Sequence, residues 1–208
     1  MKHINVSVFV PHAGCPHQCS FCNQRSISGA ASQPTAQDVR DAALVAMRSS
    51  PEGIKDGEIA FFGGSFTAID RDYMTELLSA AQEFIGENGF RGIRISTRPD
   101  AVDGEICDIL EKYRVTAVEL GAQSTDDRVL AMNRRGHTRE DIFRSARLLK
   151  ERGFETGLQM MTGLYGSTDE DCMNTARDII SLAPDTVRIY PTAVIANMEL
   201  VEIFRRGE

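Results

Sequence analysis

Residues 5–22 read NVSVFVPHAGCPHQCSFC, an apolar run that is followed at once by a loop with three cysteines. The run is rich in β-branched residues and predicts a first strand over Asn5–Val10. The loop spaces its thiols as C-x3-C-x2-C at Cys15, Cys19 and Cys22. Thiolates gathered on one short loop are soft ligands that suit an iron–sulfur cluster or zinc. This stretch therefore predicts a metal centre directly after the first strand.

The rest of the chain continues an alternation of short β-branched runs and longer amphipathic helices. Further strands are predicted at Glu58–Phe62, Gly92–Ser96, Ala117–Gly121, Thr156–Met161 and Thr186–Tyr190. Helices are predicted at Thr35–Arg48, Arg71–Glu87, Asp103–Glu111, Arg139–Arg152 and Thr168–Ser181, and a sixth starts near Asn197. Because each helix returns the chain to the same end, the strands must be parallel, and the sequence predicts an α/β fold.

The chemically distinctive residues all follow predicted strands. The cysteine loop follows the first strand, Gly63-Gly64-Ser65 follows the second, and Gln123 follows the fourth. In β/α barrels the active site collects at the carboxyl ends of the strands. We therefore expect an enzyme whose site lies at that end.

Composition and length restrict the class of protein. A chain of 208 residues is long enough for one domain with a full core. Five cysteines, three of them within residues 15–22, argue against a set of disulfides. No apolar run approaches the roughly 18 residues that cross a bilayer, so we expect a cytoplasmic protein with no membrane partner. The net charge of −7 argues against broad electrostatic binding of nucleic acid, although a local basic patch is compatible with it.

Three thiolates leave one iron of a four-iron cluster without a protein ligand, and an open position is typical of a catalytic metal. Cys107 and Cys172 fall inside predicted amphipathic helices, where a cysteine is usually a small core residue. The alternative is a structural zinc site with His12 or His17 as its fourth ligand. The cysteines alone thus leave open a catalytic cluster and a non-catalytic zinc or iron–sulfur binding module.

With these residues the chain resembles the radical S-adenosylmethionine (radical SAM) superfamily, and within it the radical domain of the catalytic subunit of Elongator, a tRNA-modifying complex, and its small bacterial relatives. The resemblance is carried by CPHQCSFC at 15–22, FFGGSF at 61–66, ISTRPD at 95–100, VELGAQS at 118–124, MNRRGHT at 132–138, GLQMMTGLYGST at 157–168 and VRIYPT at 187–192. A more distant resemblance to oxygen-independent coproporphyrinogen oxidases covers the same stretches, and it implies a small-molecule substrate instead.

The resemblance implies a partial (β/α)6 barrel of parallel strands, with residues 1–208 as a single radical SAM core domain, complete or truncated at its C-terminus. It implies an oxygen-sensitive 4Fe–4S cluster on Cys15, Cys19 and Cys22, with S-adenosyl-L-methionine on the open iron. One electron, from an external donor of the flavodoxin or ferredoxin type, would cleave the cofactor to methionine and a 5′-deoxyadenosyl radical that abstracts hydrogen from a substrate. The cofactor performs the difficult step, so no catalytic side chain is implied.

The resemblance also implies a set of cofactor-binding residues. They are Gly63, Gly64, Ser65, Ser96, Gln123, Arg134 and Gln159. The backbone of the two glycines would approach the methionine ammonium, and Ser96 stands where more distant relatives direct a carboxylate toward the ribose. Arg134 is matched to the guanidinium that pairs with the methionine carboxylate, a role suited to a planar fork of donors. Arg135 is the next residue, and the resemblance does not decide which of the two arginines has this role.

The Elongator-like resemblance implies a wobble uridine of tRNA as the substrate. The densest basic stretch is Arg134-Arg135-Gly136-His137-Thr138-Arg139, and positive charge continues along the next predicted helix at Arg144, Arg147, Lys150 and Arg152. We call residues 134–152 the basic strip. If tRNA is the substrate, the strip is expected to contact its phosphates.

Overall fold

The computed structural model describes residues 4–11, 15, 18–22, 32–50 and 54–207. Within these ranges six parallel strands form one curled sheet in chain order. They are β1 (Asn5–Val10), β2 (Glu58–Gly63), β3 (Gly92–Thr97), β4 (Val115–Gln123), β5 (Glu155–Thr162) and β6 (Thr186–Pro191). The predicted partial (β/α)6 barrel is therefore confirmed, with β1 and β6 at the two ends of the strand order.

Helices connect the strands. They are α1 (Ala36–Arg48), α2 (Arg71–Gln82), α3 (Gly104–Lys112), α4 (Asp127–Met132), α5 (Arg139–Glu151), α6 (Asp169–Ser181) and α7 (Glu199–Arg205). Thr35, Thr138 and Thr168 cap α1, α5 and α6, and each forms a capping box with the aspartate three residues on. None of the described helices has the length and apolar character to span a membrane.

Two helices differ from the prediction. α2 ends at Gln82 rather than Glu87, because the chain turns there and the N–H of Gly86 donates to the carbonyl of Phe90 (3.2 Å). Phe90 is fully buried, so the turn places an aromatic ring in the core. α4 was not predicted, because a helix of 6 residues is too short to show a clear period.

The two faces of the sheet carry different side chains. The outer face is apolar, and its fully buried residues include Ile59, Phe61, Ile93, Ile95, Val118 and Leu120. They form one core with residues of the surrounding helices, such as Leu77 and Leu110. Because successive residues of a strand alternate between faces, the polar residues between them point to the inside of the half-barrel.

Inside the half-barrel lies a connected set of charged side chains, which we call the interior ion network. Its members are Glu58, Arg91, Arg94, Glu119, Glu155 and Arg188. Arg94 of β3 is the central member, with Nε 2.7 Å from Glu58, Nη1 3.2 Å from Glu119 and Nη2 2.6 Å from Glu155. One buried guanidinium therefore joins β2, β4 and β5 to β3.

The network keeps the carboxylate of Glu58 ionised. Burial alone would raise the pKa of Glu58, but hydrogen bonds from Arg91 and Arg94 outweigh it and hold the pKa below its ordinary value. A carboxyl whose pKa is lower in the folded than in the unfolded state stabilises the fold above its unfolded pKa, and the contribution is lost as the pH falls through the folded value.

Replacing Arg94 with methionine should destabilise the fold, because Glu58 and Glu119 would lose their shared buried partner. We expect a loss of about 3 kcal/mol, at the lower end of values for broken buried pairs, since Arg91 and Arg188 remain. Urea unfolding followed by circular dichroism measures this. Arg40→Met, which removes an exposed ion pair with Glu83, is the matched control and should change little. The difference between wild type and Arg94→Met should narrow in acid, and a constant difference down to pH 3 would contradict this account.

Candidate active site

The cysteine loop lies at the carboxyl end of β1 and is held from two sides. Cys19 is buried, Cys22 is half-buried and Cys15 is exposed. The Ser20 hydroxyl donates to Asn133 Oδ1 at 2.7 Å, and the Ser20 N–H donates to the Asn133 carbonyl at 3.3 Å. The N–H of Leu200 in α7 donates to the Ser20 carbonyl at 3.0 Å. The residue after α4 and the start of α7 thus fix the middle of the loop.

Asn133 is the buried residue on which this anchoring depends. It has no exposed surface, and its Nδ2 donates to the carbonyls of Val129 (2.8 Å) and Tyr165 (2.9 Å). A buried amide with all these partners fixes a single arrangement of its neighbours. Sequence reasoning missed this residue, because an asparagine at a helix end is usually only a cap and Ser20 lies far from it in the chain.

The end of β2 comes close to the first cysteine. The Cys15 Sγ and Ser65 Oγ atoms are 3.8 Å apart. The N–H of Gly64 donates to the Val10 carbonyl at 2.8 Å, so it continues the pairing with β1. Gly63 has a φ of +118°, and a Cβ atom there would lie 2.7 Å from the Val10 carbonyl oxygen. The approach of the two strands therefore requires glycine at 63.

The two adjacent arginines point to different places. Nη1 of Arg135 donates to Cys19 Sγ at 3.4 Å, and its Nη2 donates to the Gly121 carbonyl at 2.6 Å. Arg134 is exposed, with a φ of +54°, and its Nη2 lies 2.6 Å from Glu199. The geometry therefore does not bring Arg134 to the cysteine loop. It favours the other register, in which Arg135 reaches the site, because the left-handed turn at 134 directs that side chain outward.

Two further buried side chains hold the turn that carries Arg135. Arg98, at the end of β3, pairs with Asp100 (2.6 Å) and donates from Nη2 to the Arg135 carbonyl at 2.9 Å. Nε2 of His137 lies 3.1 Å from the Ala122 carbonyl, so it carries the proton of that hydrogen bond. Burial, aided by the nearby Arg135 charge, lowers the pKa of His137 to about 4, so the ring is neutral at neutral pH.

The predicted glutamines meet at the ends of β4 and β5. Gln159 Nε2 donates to Gln123 Oε1 at 3.3 Å. Gln123 has a φ of +67°, and the β4–β5 pairing shifts register between Gly121 and Gln123. Such a bulge redirects a side chain at the rim of a barrel. Ser96 is half-buried on the same inner face, in register with Glu119 of β4.

The other two cysteines lie on helices and not in the cysteine loop. Cys107 is fully buried in the core on α3, and burial raises the pKa of its thiol to about 11. Cys172 lies on α6, with its sulfur 3.4 Å from the Ser167 hydroxyl. His12 and His17, the alternative zinc ligands, lie outside the described residues. In the described ranges no three His, Cys, Asp or Glu side chains are grouped closely enough to hold a metal ion.

Acidic partners neutralise much of the basic strip. Arg139 makes two hydrogen bonds to Asp178 (2.8 and 2.7 Å), and Arg144 lies 2.8 Å from Asp141. Arg152 pairs with Asp108 (2.9 Å) and Glu111 (3.0 Å), while Lys150 donates to two backbone carbonyls. Four of the strip's six arginines are therefore in ion pairs, and Arg147 contacts the Phe143 ring.

The order of the strands and the cysteine loop at their carboxyl ends agree with the expected radical SAM arrangement, and so does a family comparison. The radical SAM superfamily model matches residues 9–179. The chain belongs to the radical SAM superfamily and is an enzyme of that class. The predicted cofactors, a 4Fe–4S cluster and S-adenosylmethionine, are those of the superfamily.

The relatives include tRNA-modifying enzymes. The tRNA uridine(34) acetyltransferase of Methanocaldococcus jannaschii is 32% identical over 171 residues, which cover 73% of this chain and 32% of the relative. Elongator complex protein 3 of Schizosaccharomyces pombe is 26% identical over 187 residues, covering 77% of this chain and 33% of that protein. The predicted resemblance to the Elongator catalytic subunit is confirmed, and the chain spans about a third of these relatives.

Solved structures share the fold. The archaeal Elp3 of Methanocaldococcus infernus, with an N-terminal deletion, superposes with a TM-score of 0.77 at 25% identity, over 99% of this chain and 49% of that chain. Coproporphyrinogen III oxidase of Escherichia coli, a radical SAM enzyme, superposes with a TM-score of 0.68 over 97% of this chain and 46% of its own. Its identity of 19% supports the fold alone.

Alanine at Cys15, Cys19 or Cys22 should abolish stable cluster binding after anaerobic reconstitution, because each removal leaves two thiolates. Iron and acid-labile sulfide analysis measures this, with about four irons expected per wild-type chain. Cys107→Ala and Cys172→Ala are matched controls that should keep the cluster. If Cys107→Ala lost iron as completely as Cys19→Ala, a model with three loop thiolates would be wrong.

Proposed function

We propose that this enzyme holds a 4Fe–4S cluster on Cys15, Cys19 and Cys22 and binds S-adenosylmethionine beside it. The observation that carries the proposal is the position of Arg135. Its guanidinium contacts a loop thiol and a strand-end carbonyl, and its buried Nε has no hydrogen-bond partner among the described residues. A buried donor without an acceptor is rare, so a further acceptor is expected at this place. The carboxylate of the methionine moiety has the required chemistry.

Other residues at the carboxyl ends of the strands also fit the binding of a cluster and S-adenosylmethionine. Ser65 lies beside Cys15, and the paired amides of Gln123 and Gln159 supply donors and acceptors at the inner rim. We assign the cofactor contacts to Gly63, Gly64, Ser65, Ser96, Gln123, Gln159 and, in place of Arg134, Arg135. When bound, the cluster and the cofactor supply one-electron chemistry that ends in hydrogen abstraction from the substrate. The protein orients both and limits the access of water.

We further propose a uridine of tRNA as the substrate and an external flavodoxin or ferredoxin as the electron donor. The support for uridine is the similarity to two proteins named for uridine(34) modification or for Elongator. The neutralised basic strip does not add to it. On this proposal the domain binds tRNA weakly, and recognition depends on contacts to the base rather than to phosphates.

Reduced, reconstituted enzyme should release 5′-deoxyadenosine and methionine from S-adenosylmethionine, detected by chromatography. Arg135→Gln should weaken cofactor binding by about 1.5–3 kcal/mol, or roughly ten- to a hundredfold, because a charge-assisted contact is lost. Arg134→Gln is the matched control, one residue away, and should bind the cofactor normally. If Arg134→Gln weakened cofactor binding and Arg135→Gln did not, Arg134 would be the residue that pairs with the methionine carboxylate. If both variants bound the cofactor normally, other residues would hold that carboxylate.

The basic strip should contribute little to tRNA binding, because four of its six arginines already have acidic partners. An anisotropy titration against total tRNA at two salt concentrations measures this. Three or four phosphate contacts would give a log–log slope of roughly −3, and we expect a much shallower one. The double variant Arg139→Gln, Arg144→Gln should bind as wild type does. A slope near −3 that the double variant abolishes would show that the strip does bind phosphates.

A further inference from the structure

The interior ion network ends at Arg188, on the inner face of the edge strand β6. Its Nη2 lies 2.7 Å from Glu119 Oε1, and its side chain is 38% exposed, whereas that of Glu119 is 5% exposed. Its guanidinium carbon is 5.9 Å from the centroid of the Phe62 ring. Among the described residues, Nε and Nη1 of Arg188 have no hydrogen-bond partner. Glu119 therefore holds this arginine at Nη2, and Nε and Nη1 remain available to donate to a ligand.

Arg94 is the useful contrast, because it belongs to the same network but is 5% exposed and commits Nε, Nη1 and Nη2 to three carboxylates. Its role is to join strands. Glu119 Oε1 accepts a hydrogen bond from Arg94 and forms the ion pair with Arg188, and its Oε2 accepts no hydrogen bond from a described residue. A donor on Arg188 and an acceptor on Glu119 thus lie side by side at the open end of the network.

This pair lies next to the candidate active site. Arg188 is in register with Gln159 of β5, and Gln159 is in register with Gly121 of β4. The Gly121 carbonyl accepts from Arg135, which also contacts Cys19. Two strand spacings separate Gly121 from Arg188, or roughly 10 Å. A planar group bound at Arg188 would therefore lie within reach of a cofactor held between Arg135 and the cysteine loop.

The inner surface around the pair suits a flat ring. The two glycines let neighbouring side chains pack closely against the strands: a Cβ atom at Gly121 would come within 3.3 Å of Arg135 Nη2, and one at Gly157 within 3.1 Å of Glu119 Cγ. Phe9 (38% exposed) and Tyr190 (42% exposed) lie on the inner faces of the two edge strands. Exposed aromatic faces stack on nucleobases, typically with 1–3 kcal/mol per base, about five- to 150-fold in affinity.

We propose that Glu119 and Arg188 bind the edge of a uracil ring, with Arg188 donating to the O4 carbonyl and Glu119 Oε2 accepting from N3–H. The inference rests on the proposed function and names the residues that would select uridine. The network contains three carboxylates and three guanidiniums, so its charges balance. A neutral base suits such a site better than a phosphate or carboxylate, which would add an uncompensated charge.

The proposed pair also predicts rejection of cytosine. Uracil presents an acceptor at O4 next to a donor at N3, whereas cytosine presents an amino donor next to an acceptor. A fixed guanidinium and carboxylate would then face groups of the wrong kind. A site built to hydrogen-bond one pattern discriminates strongly, because its own polar groups stay unpaired with the other.

The test uses the reconstituted enzyme, S-adenosylmethionine, a reductant and two anticodon stem–loop RNAs that differ only in uridine or cytidine at the wobble position. The readouts are RNA affinity by anisotropy and the rate of 5′-deoxyadenosine release with RNA divided by the rate without it. The uridine RNA should stimulate wild type, and the cytidine RNA should do so at least about tenfold less.

Stimulation of Arg188→Gln by the uridine RNA should be about tenfold lower than that of wild type. Arg188→Lys, which keeps the charge beside Glu119 and so protects folding, should also lose it, because a lysine lacks the planar fork. Arg144→Gln is the matched control, an exposed arginine paired with Asp141 on the outside of the barrel, and should respond as wild type does. If the uridine RNA stimulates both Arg188 variants as strongly as it stimulates wild type, Glu119 and Arg188 are not the binding site. The proposed function would stand in that case. Equal stimulation by both RNAs would refute uracil selection by this pair, and no response of wild type to either would overturn the uridine substrate itself.

Discussion

The interior of the half-barrel depends on the ion pairs of one buried guanidinium, that of Arg94. The helices cover the outer face of the sheet with apolar side chains, and the inner face is left with charged ones that need partners. Arg94 meets that need for carboxylates on β2, β4 and β5. The strands are thereby held in register by a contact that no apolar side chain could replace without leaving charges buried and unpaired.

Strands held in this way deliver the functional groups to one end. Arg98 directly follows β3, Gly121 and Ala122 lie near the end of β4, and each contacts the turn that carries Arg135. The arginine that touches Cys19 is therefore positioned by backbone carbonyls and buried side chains of a rigid sheet rather than by a loop alone. Sites built on strands hold their side chains more precisely than sites built on loops.

The sequence was sufficient for the strands and their parallel direction, because apolar periodicity and capping threonines are local signals, and the family resemblance added the partial barrel. The interior ion network was not predictable in the same way. Glu58, Arg94 and Glu155 are far apart in the chain, and their pairing follows from sheet register. The arginine doublet shows the same limit, since only the left-handed turn at Arg134 decides which of the two side chains faces Cys19.

The distribution of charge bears on how such a domain would recognise RNA. Phosphate contacts supply most of the affinity of nucleic-acid binding and base contacts supply the specificity. Here Arg139 and Arg144 on the exterior are paired with acids, while Arg188 in the interior keeps donors available beside Glu119. The part of this chain that aligns with tRNA uridine(34) acetyltransferase and with Elongator complex protein 3 covers about a third of each. On the proposed function, the core domain therefore selects the base, and affinity for the rest of the RNA has to come from surfaces other than the basic strip.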